Sequence, residues 1–154
     1  MKKLITTALI STAVLLATPT FAAKDPNIDA IKARKGEMQL RSFNAGPLFA
    51  MAKGSIPYDA KMATTLANNL KTLLDVDMGR SWAQGSDIDN YFGETAAKSE
   101  IWTTYPEISN YGKEYATAVN ELVAVAGNGV DALKSKVGAL GKSCKGCHDE
   151  FREK

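Results

Sequence analysis

The only two cysteines and the only histidine of this chain stand together near its end, as Cys144-Lys145-Gly146-Cys147-His148. Four chemistries use these residue types. A Cys144–Cys147 disulfide would close a very short loop, adding little stability, and would leave His148 without a role. A redox dithiol of the thioredoxin kind belongs beside a βαβ pattern, and no alternating strand is legible here. A closed zinc site needs four ligands, and Cys144, Cys147 and His148 supply three, so Asp149 would have to be the fourth. Covalent haem attachment uses every residue. The porphyrin's two vinyl groups are neighbours, so two thiols on one helix face can each add to one of them. His148, four residues after Cys144, shares that face and can reach the iron. Cys-x-x-Cys-His is the run that holds c-type haem, with Cys144 and Cys147 as anchors and His148 as axial ligand.

With no second histidine, the opposite axial position falls to methionine or tyrosine, or to nothing. Met38 lies at helical spacing from Ile31. As a sixth ligand it would make a six-coordinate electron carrier. As a wall residue it would leave an open iron on an apolar face, suited to small neutral gases. Both readings stay open. Arg152, four residues after His148, rides on the same face and can lie against the proximal side of the haem, or else offset the helix dipole. The haem propionates need cations. Arg34, four residues before Met38, is the first choice and Lys35 the second, against the alternative that both are solvated charges.

These residues must be carried by helices. Asp25-Pro26 opens the first, with Asp as N-cap and Pro at a position that tolerates it. Ile28, Ile31, Met38, Phe43 and Met51 continue it. Gly46-Pro47 predicts a kink or local break, and Gly54-Ser55-Ile56-Pro57 the end. A second helix is expected from Tyr58-Asp59 to about Met78, on Met62, Leu66, Leu70, Leu73 and Leu74. Residues 79–104 show little period, and their Trp82, Phe92 and Trp102 predict a connection folded over the core. A third helix opens at Tyr105-Pro106-Glu107 and stops at Gly127-Asn128-Gly129. In the last, Val130, Leu133, Val137, Leu140, Cys144, Cys147 and Phe151 form one apolar seam at steps of three and four. The expected fold is all-α, an up-down-up-down antiparallel four-helix bundle, with the haem in its interior.

The first residues, MKKLITTALISTAVLLATPTFA, have a positive start, a short apolar run and small residues, Thr20 and Ala22, at the −3 and −1 positions of a cleavage site after Ala22. They read as a cleaved secretory signal over 1–22, which directs a single domain, 23–154, to the periplasm. The chain carries 19 Lys and Arg against 17 Asp and Glu. Two of those lysines belong to the signal, so the remainder is near neutral, which argues against a nucleic-acid partner. No other stretch is apolar enough to span a membrane. No nucleophile motif stands out, and His148 leaves no histidine for acid–base work, so no enzyme activity is read.

The chain resembles cytochrome c′, the class II c-type cytochromes, over nearly all of its expected mature length. The resemblance rests on Cys144-Lys145-Gly146-Cys147-His148, on Arg152, on Arg34 four residues before Met38, and on the stretches GETAAKSEIW and KGSIPYDA. Cytochrome c′ is itself a standard example of the up-down bundle. The resemblance implies five-coordinate, high-spin haem c that binds NO and CO, with a role in NO handling or electron transfer to a partner not readable here. It implies the same anchors and axial ligand, a proximal Arg152, a propionate contact from Arg34 and a distal Met38. The family often has Gln where Lys35 stands. It also implies a homodimer formed through the first two helices. Low-spin relatives share the fold and use a first-helix methionine as sixth ligand.

Overall fold

The computed structural model describes residues 24–154; the expected signal at 1–22 lies outside them. Four long helices carry the fold: α1 (Pro26–Lys53), α2 (Ala60–Leu74), α4 (Tyr105–Val123) and α5 (Val130–Phe151). A one-turn helix, α3 (Glu100–Thr103), and a 3-10 turn at Gly79–Trp82 lie in the long connection. Local chemistry sets most of the ends. The Asp25 carboxylate accepts from Asn27 N at 2.9 Å, and that of Asp59 from Met62 N at 2.7 Å, so each caps a helix start. Gly54 ends α1 at φ 75°, a left-handed conformation in which a side chain would be strained.

Three boundaries differ from expectation. α4 stops at Val123, and the chain goes on as turns to the expected Gly127. α1 runs on through Pro47 to Lys53 without a break. Phe43, whose carbonyl loses its helical donor to Pro47, is exposed, so water can serve that carbonyl. α2 stops at Leu74 instead of Met78. Asp77 Oδ1 accepts from Gly79 N at 2.9 Å, and this local turn competes with the helix.

α1 packs on α2 and α5, and α4 packs on the same two, so α1 and α4 face each other across the bundle diagonal. The dry core occupies one half. It joins Leu48 and Met51 of α1, Ala63, Ala67 and Leu70 of α2, Ala118, Val119 and Leu122 of α4, and Leu133, Val137 and Leu140 of α5. Each fully buried leucine contributes about 1.5–3 kcal/mol over its exposed state. The buried stripe of α2 is Ala63, Ala67 and Leu70, while Met62, expected in the core, is exposed. In the other half α2 has ended, and the connection supplies the wall. Its Trp82 and Trp102 are partly buried, but Phe92 is 88% exposed at a turn, contrary to the expectation that it folds inward.

Candidate cofactor site

Beyond Leu140, α5 keeps its seam, and Ser143 and Phe151 are buried, but the cysteine positions between them are less fully covered. Cys144 and Cys147 are half-buried, and His148, one residue further, is exposed. All three face a groove between α1, α4, α5 and the connection. The groove has two lobes, of about 820 and 410 Å³, which share Met38, Trp82, Ile101, Ile108, Cys147 and His148. The larger lobe alone is within the roughly 300–1,000 Å³ of cofactor pockets.

Helix geometry brings the motif to this groove, and neighbours hold it there. Gly146, between the cysteines, lets α4 come close: a Cβ there would lie 3.1 Å from Tyr111 Cε1. Tyr111 in turn meets Phe151 edge-on, ring centroids 5.6 Å apart. The chain end pairs with the connection, Lys98 N donating to Phe151 O at 3.0 Å and Glu153 N to Ala96 O at 2.8 Å. This pairing seats Arg152 on the smaller lobe beside His148.

The protonation states suit haem attachment. Although exposed to the groove, His148 is partly desolvated by its walls, and this, aided by the Arg152 charge, moves it below its usual range and favours the neutral ring, which has a lone pair for a metal. Burial pushes both cysteines up, keeping them as thiols. A closed zinc site would want a fourth ligand, and no group of three or more His, Cys, Asp or Glu is placed to hold a metal among the described residues. The donor set fits a haem held at two thiols and one imidazole.

Arg34, Lys35 and Met38 all line the groove. Met38 lies on both lobes, half-buried. Arg34 is 4% exposed and holds the connection: Nη1 donates to Ser81 O and Ser86 Oγ, both at 3.0 Å. Its Nη2 donates to Ser86 O at 2.8 Å and Thr95 Oγ1 at 3.0 Å. Its guanidinium lies 4.9 Å from the Trp82 ring centroid and 5.9 Å from that of Trp102. What it has left for the groove is its Nε–H and its charge. Lys35 Nζ donates to Glu94 O at 3.0 Å on the rim of the smaller lobe.

Sequence reasoning missed Glu37, Arg41 and Tyr115, which line the larger lobe with Ile108 and Ile101. One signal was available: Glu37 and Arg41 fall one turn apart on the face that carries Arg34 and Met38, where a core helix would place apolar residues.

A family model described as cytochrome c′ matches residues 29–152. The chain is 40% identical over 146 residues to cytochrome c′ of Cereibacter sphaeroides, with 92% of this chain and 97% of that one covered. A solved cytochrome c′ from Rhodobacter spheriodes superposes with a TM-score of 0.81 at 40% identity, over 85% of this chain and 99% of the other. Two solved variants of cytochrome c′ from Alcaligenes xylosoxidans each give 0.71. One, with bound carbon monoxide, is 29% identical, with 84% of this chain and 98% of that one covered. The other, ferrous with bound NO, is 28% identical, with 83% and 96% covered.

Proposed function

The chain belongs to the cytochrome c′ family, and from that premise we propose that it is a periplasmic haem c protein whose five-coordinate, high-spin iron binds NO and CO. The observation that carries this reading is the placement of Cys144, Cys147 and His148 on one groove. Haem bound there would supply an iron that takes a gas or an electron. Cys144 and Cys147 are its covalent anchors and His148 its axial ligand, its neutral form favoured by partial desolvation. Met38, Ile101 and Ile108 give the groove an apolar wall, which favours neutral diatomic molecules over anions. Arg152, beside His148 on the smaller lobe, is the proximal arginine. Arg34 and Lys35 bring positive charge to that lobe and are the propionate contacts, Arg34 through the one N–H that the connection leaves free. The gas-bound relatives support the assignment.

The leader-like residues 1–22 support export to the periplasm and the division into a signal and one domain, 23–154. No helix among the described residues is long and apolar enough to cross a membrane. A homodimer through α1 and α2 is supported by Leu40, Phe43 and Met62, which are 52%, 75% and 47% exposed on those helices. We read the role as gas binding or electron transfer, and not as enzyme catalysis.

One observation favours a second reading. Met38 lines both lobes together with His148, which supports a role as sixth ligand in a low-spin electron carrier. The visible spectrum of the ferrous holoprotein, with and without CO, separates the two. A high-spin spectrum that Met38→Ala leaves unchanged, with ready CO binding, supports five-coordinate iron. A sharp low-spin spectrum that Met38→Ala turns high-spin overturns it. A matured protein without a Soret band would overturn both.

A further inference from the structure

The groove holds an arrangement that neither haem attachment nor gas binding uses. Among the described residues, the buried side-chain polar atoms without a hydrogen-bond partner are confined to Glu37, Arg41 and Tyr115, and all three residues line the larger lobe. Glu37 and Arg41 are ion-paired through Oε1 and Nη2. The Arg41 guanidinium carbon lies 4.3 Å from the centroid of the Tyr115 ring, so the pair reaches from α1 across the diagonal to α4. What remains is a carboxylate oxygen, Glu37 Oε2, which accepts; Arg41 Nε, which donates; and the Tyr115 hydroxyl, which does both. Glu37 is 5% exposed and Tyr115 6%.

A buried polar atom left unpaired costs about 1–3 kcal/mol. Folded proteins leave few of them, and three residues sharing one wall point to something they bind. We propose that Glu37, Arg41 and Tyr115 form a second ligand site in the groove wall, for a small uncharged molecule that both donates and accepts hydrogen bonds, with water as its resident ligand. The charges favour this class. Carboxylate and guanidinium offset each other, so the site gives no net pull on an ion. Glu37 Oε2 would repel a carboxylate such as a haem propionate, and the Arg41 charge would repel a cation. A diatomic gas cannot satisfy the carboxylate, which needs a donor. Buried water typically makes two to four hydrogen bonds, and these three residues each carry an unpaired polar group. Burial pushes the Tyr115 phenol up to about 12, so its hydroxyl keeps its proton through the neutral range. The groove, apolar along Met38, Ile101 and Ile108, thus has one station where a protic molecule is held beside the cofactor.

The inference rests on the reading that haem fills the groove, and its test keeps the two apart. The holoprotein is prepared as the diamagnetic ferrous CO complex, whose Soret band reports the haem. A nuclear Overhauser contact is then sought between water and Arg41 Nε–H, assigned by its loss in Arg41→Lys. The expected result is a contact from long-lived water that falls several-fold in Tyr115→Phe. A crystal structure of the wild-type holoprotein should show ordered water within hydrogen-bond reach of Glu37 Oε2, Arg41 Nε and the Tyr115 hydroxyl. A propionate oxygen or a protein group on those atoms, or the absence of both water contact and ordered water, would overturn the proposal. A chain without a Soret band would instead overturn the haem reading.

Discussion

The two halves of this bundle share a single α5 seam and end as different materials. In the dry half, Leu122, Leu133 and Leu140 meet Leu48 and Leu70 with no exposure, and Ala63, Ala67 and Ala126 let the helices close. In the other half the seam continues at the same spacing through Cys144 and Cys147, yet both are only half-buried. The opposing face of α1 there presents Arg34, Glu37, Met38 and Arg41, and α2 is replaced by a connection bearing Trp82 and Trp102. Apolar periodicity therefore fixes which way a helix faces. Whether that face becomes core depends on what its partners place opposite, and here they leave room for a cofactor.

The sharpest way to break the contrast is to remove the anchors. Cys144→Ala with Cys147→Ala should abolish covalent attachment completely, read as haem lost from the chain on a denaturing gel. If haem stays covalently bound, the groove is not organised around these thiols. Next in size, Leu133→Ala in the dry half should cost about 2–5 kcal/mol in denaturant unfolding, because close-packed neighbours cannot fill the space. Ile108→Ala, on the groove wall, should cost less than half as much in haem-free protein, since its side chain already borders open volume. Equal losses would mean that the groove half is packed as tightly as the core.

That contrast was only half legible in the sequence. The caps at Asp25 and Asp59, the stop at Gly54 and the whole α5 seam follow from local rules, and the structure keeps them. Cys144, Cys147 and His148 follow from their motif, Arg34, Met38 and Arg152 from helical spacing and the family resemblance, and Lys35 from its place beside Arg34; all line the groove. Their ligand roles remain part of the proposal. What failed were details that depended on long-range partners. Met62 has the right spacing but sits one position off the buried stripe, because Ala63 and Ala67, too small to weigh in a search for large apolar residues, make the contact. Glu37 and Arg41 give no signal of burial by residue type, because charges on a helix are ordinarily solvated. The same rule concealed that Arg34 ties down residues as distant as Thr95.

Arg34 gives the next test, because the groove half depends on a polar clamp where the dry half depends on leucines. Arg34→Met keeps much of the length and loses the donors to Ser81, Ser86 and Thr95. Leaving those acceptors unpaired should cost roughly 2–3 kcal/mol, on the scale of hydrogen bonds to a charged group. The loss should be local: faster proteolytic cleavage within 83–99 while α5 amide protection in the dry half is unchanged. A uniform loss of protection across both halves would show that the clamp serves the whole bundle.

The smallest expected effect concerns Tyr115, which stands at the border between the halves, a member of the core cluster that also lines the larger lobe. Its phenol is pushed from 10 up to about 12, first by burial, with Cys144 and Glu37 adding and Arg41 opposing. The folded state thus holds this proton more tightly than the unfolded chain does. The stability gained is fully present below pH 10 and drains away as the pH rises from 10 towards about 12. Tyr115→Phe removes that dependence, so its unfolding free energy should fall less steeply than the wild type's across this window. The difference between the two proteins is the measurement, because Tyr91 and Tyr111 are also raised and contribute equally to both. Parallel curves would mean that the phenol titrates as if in water and that the border between core and groove is wet.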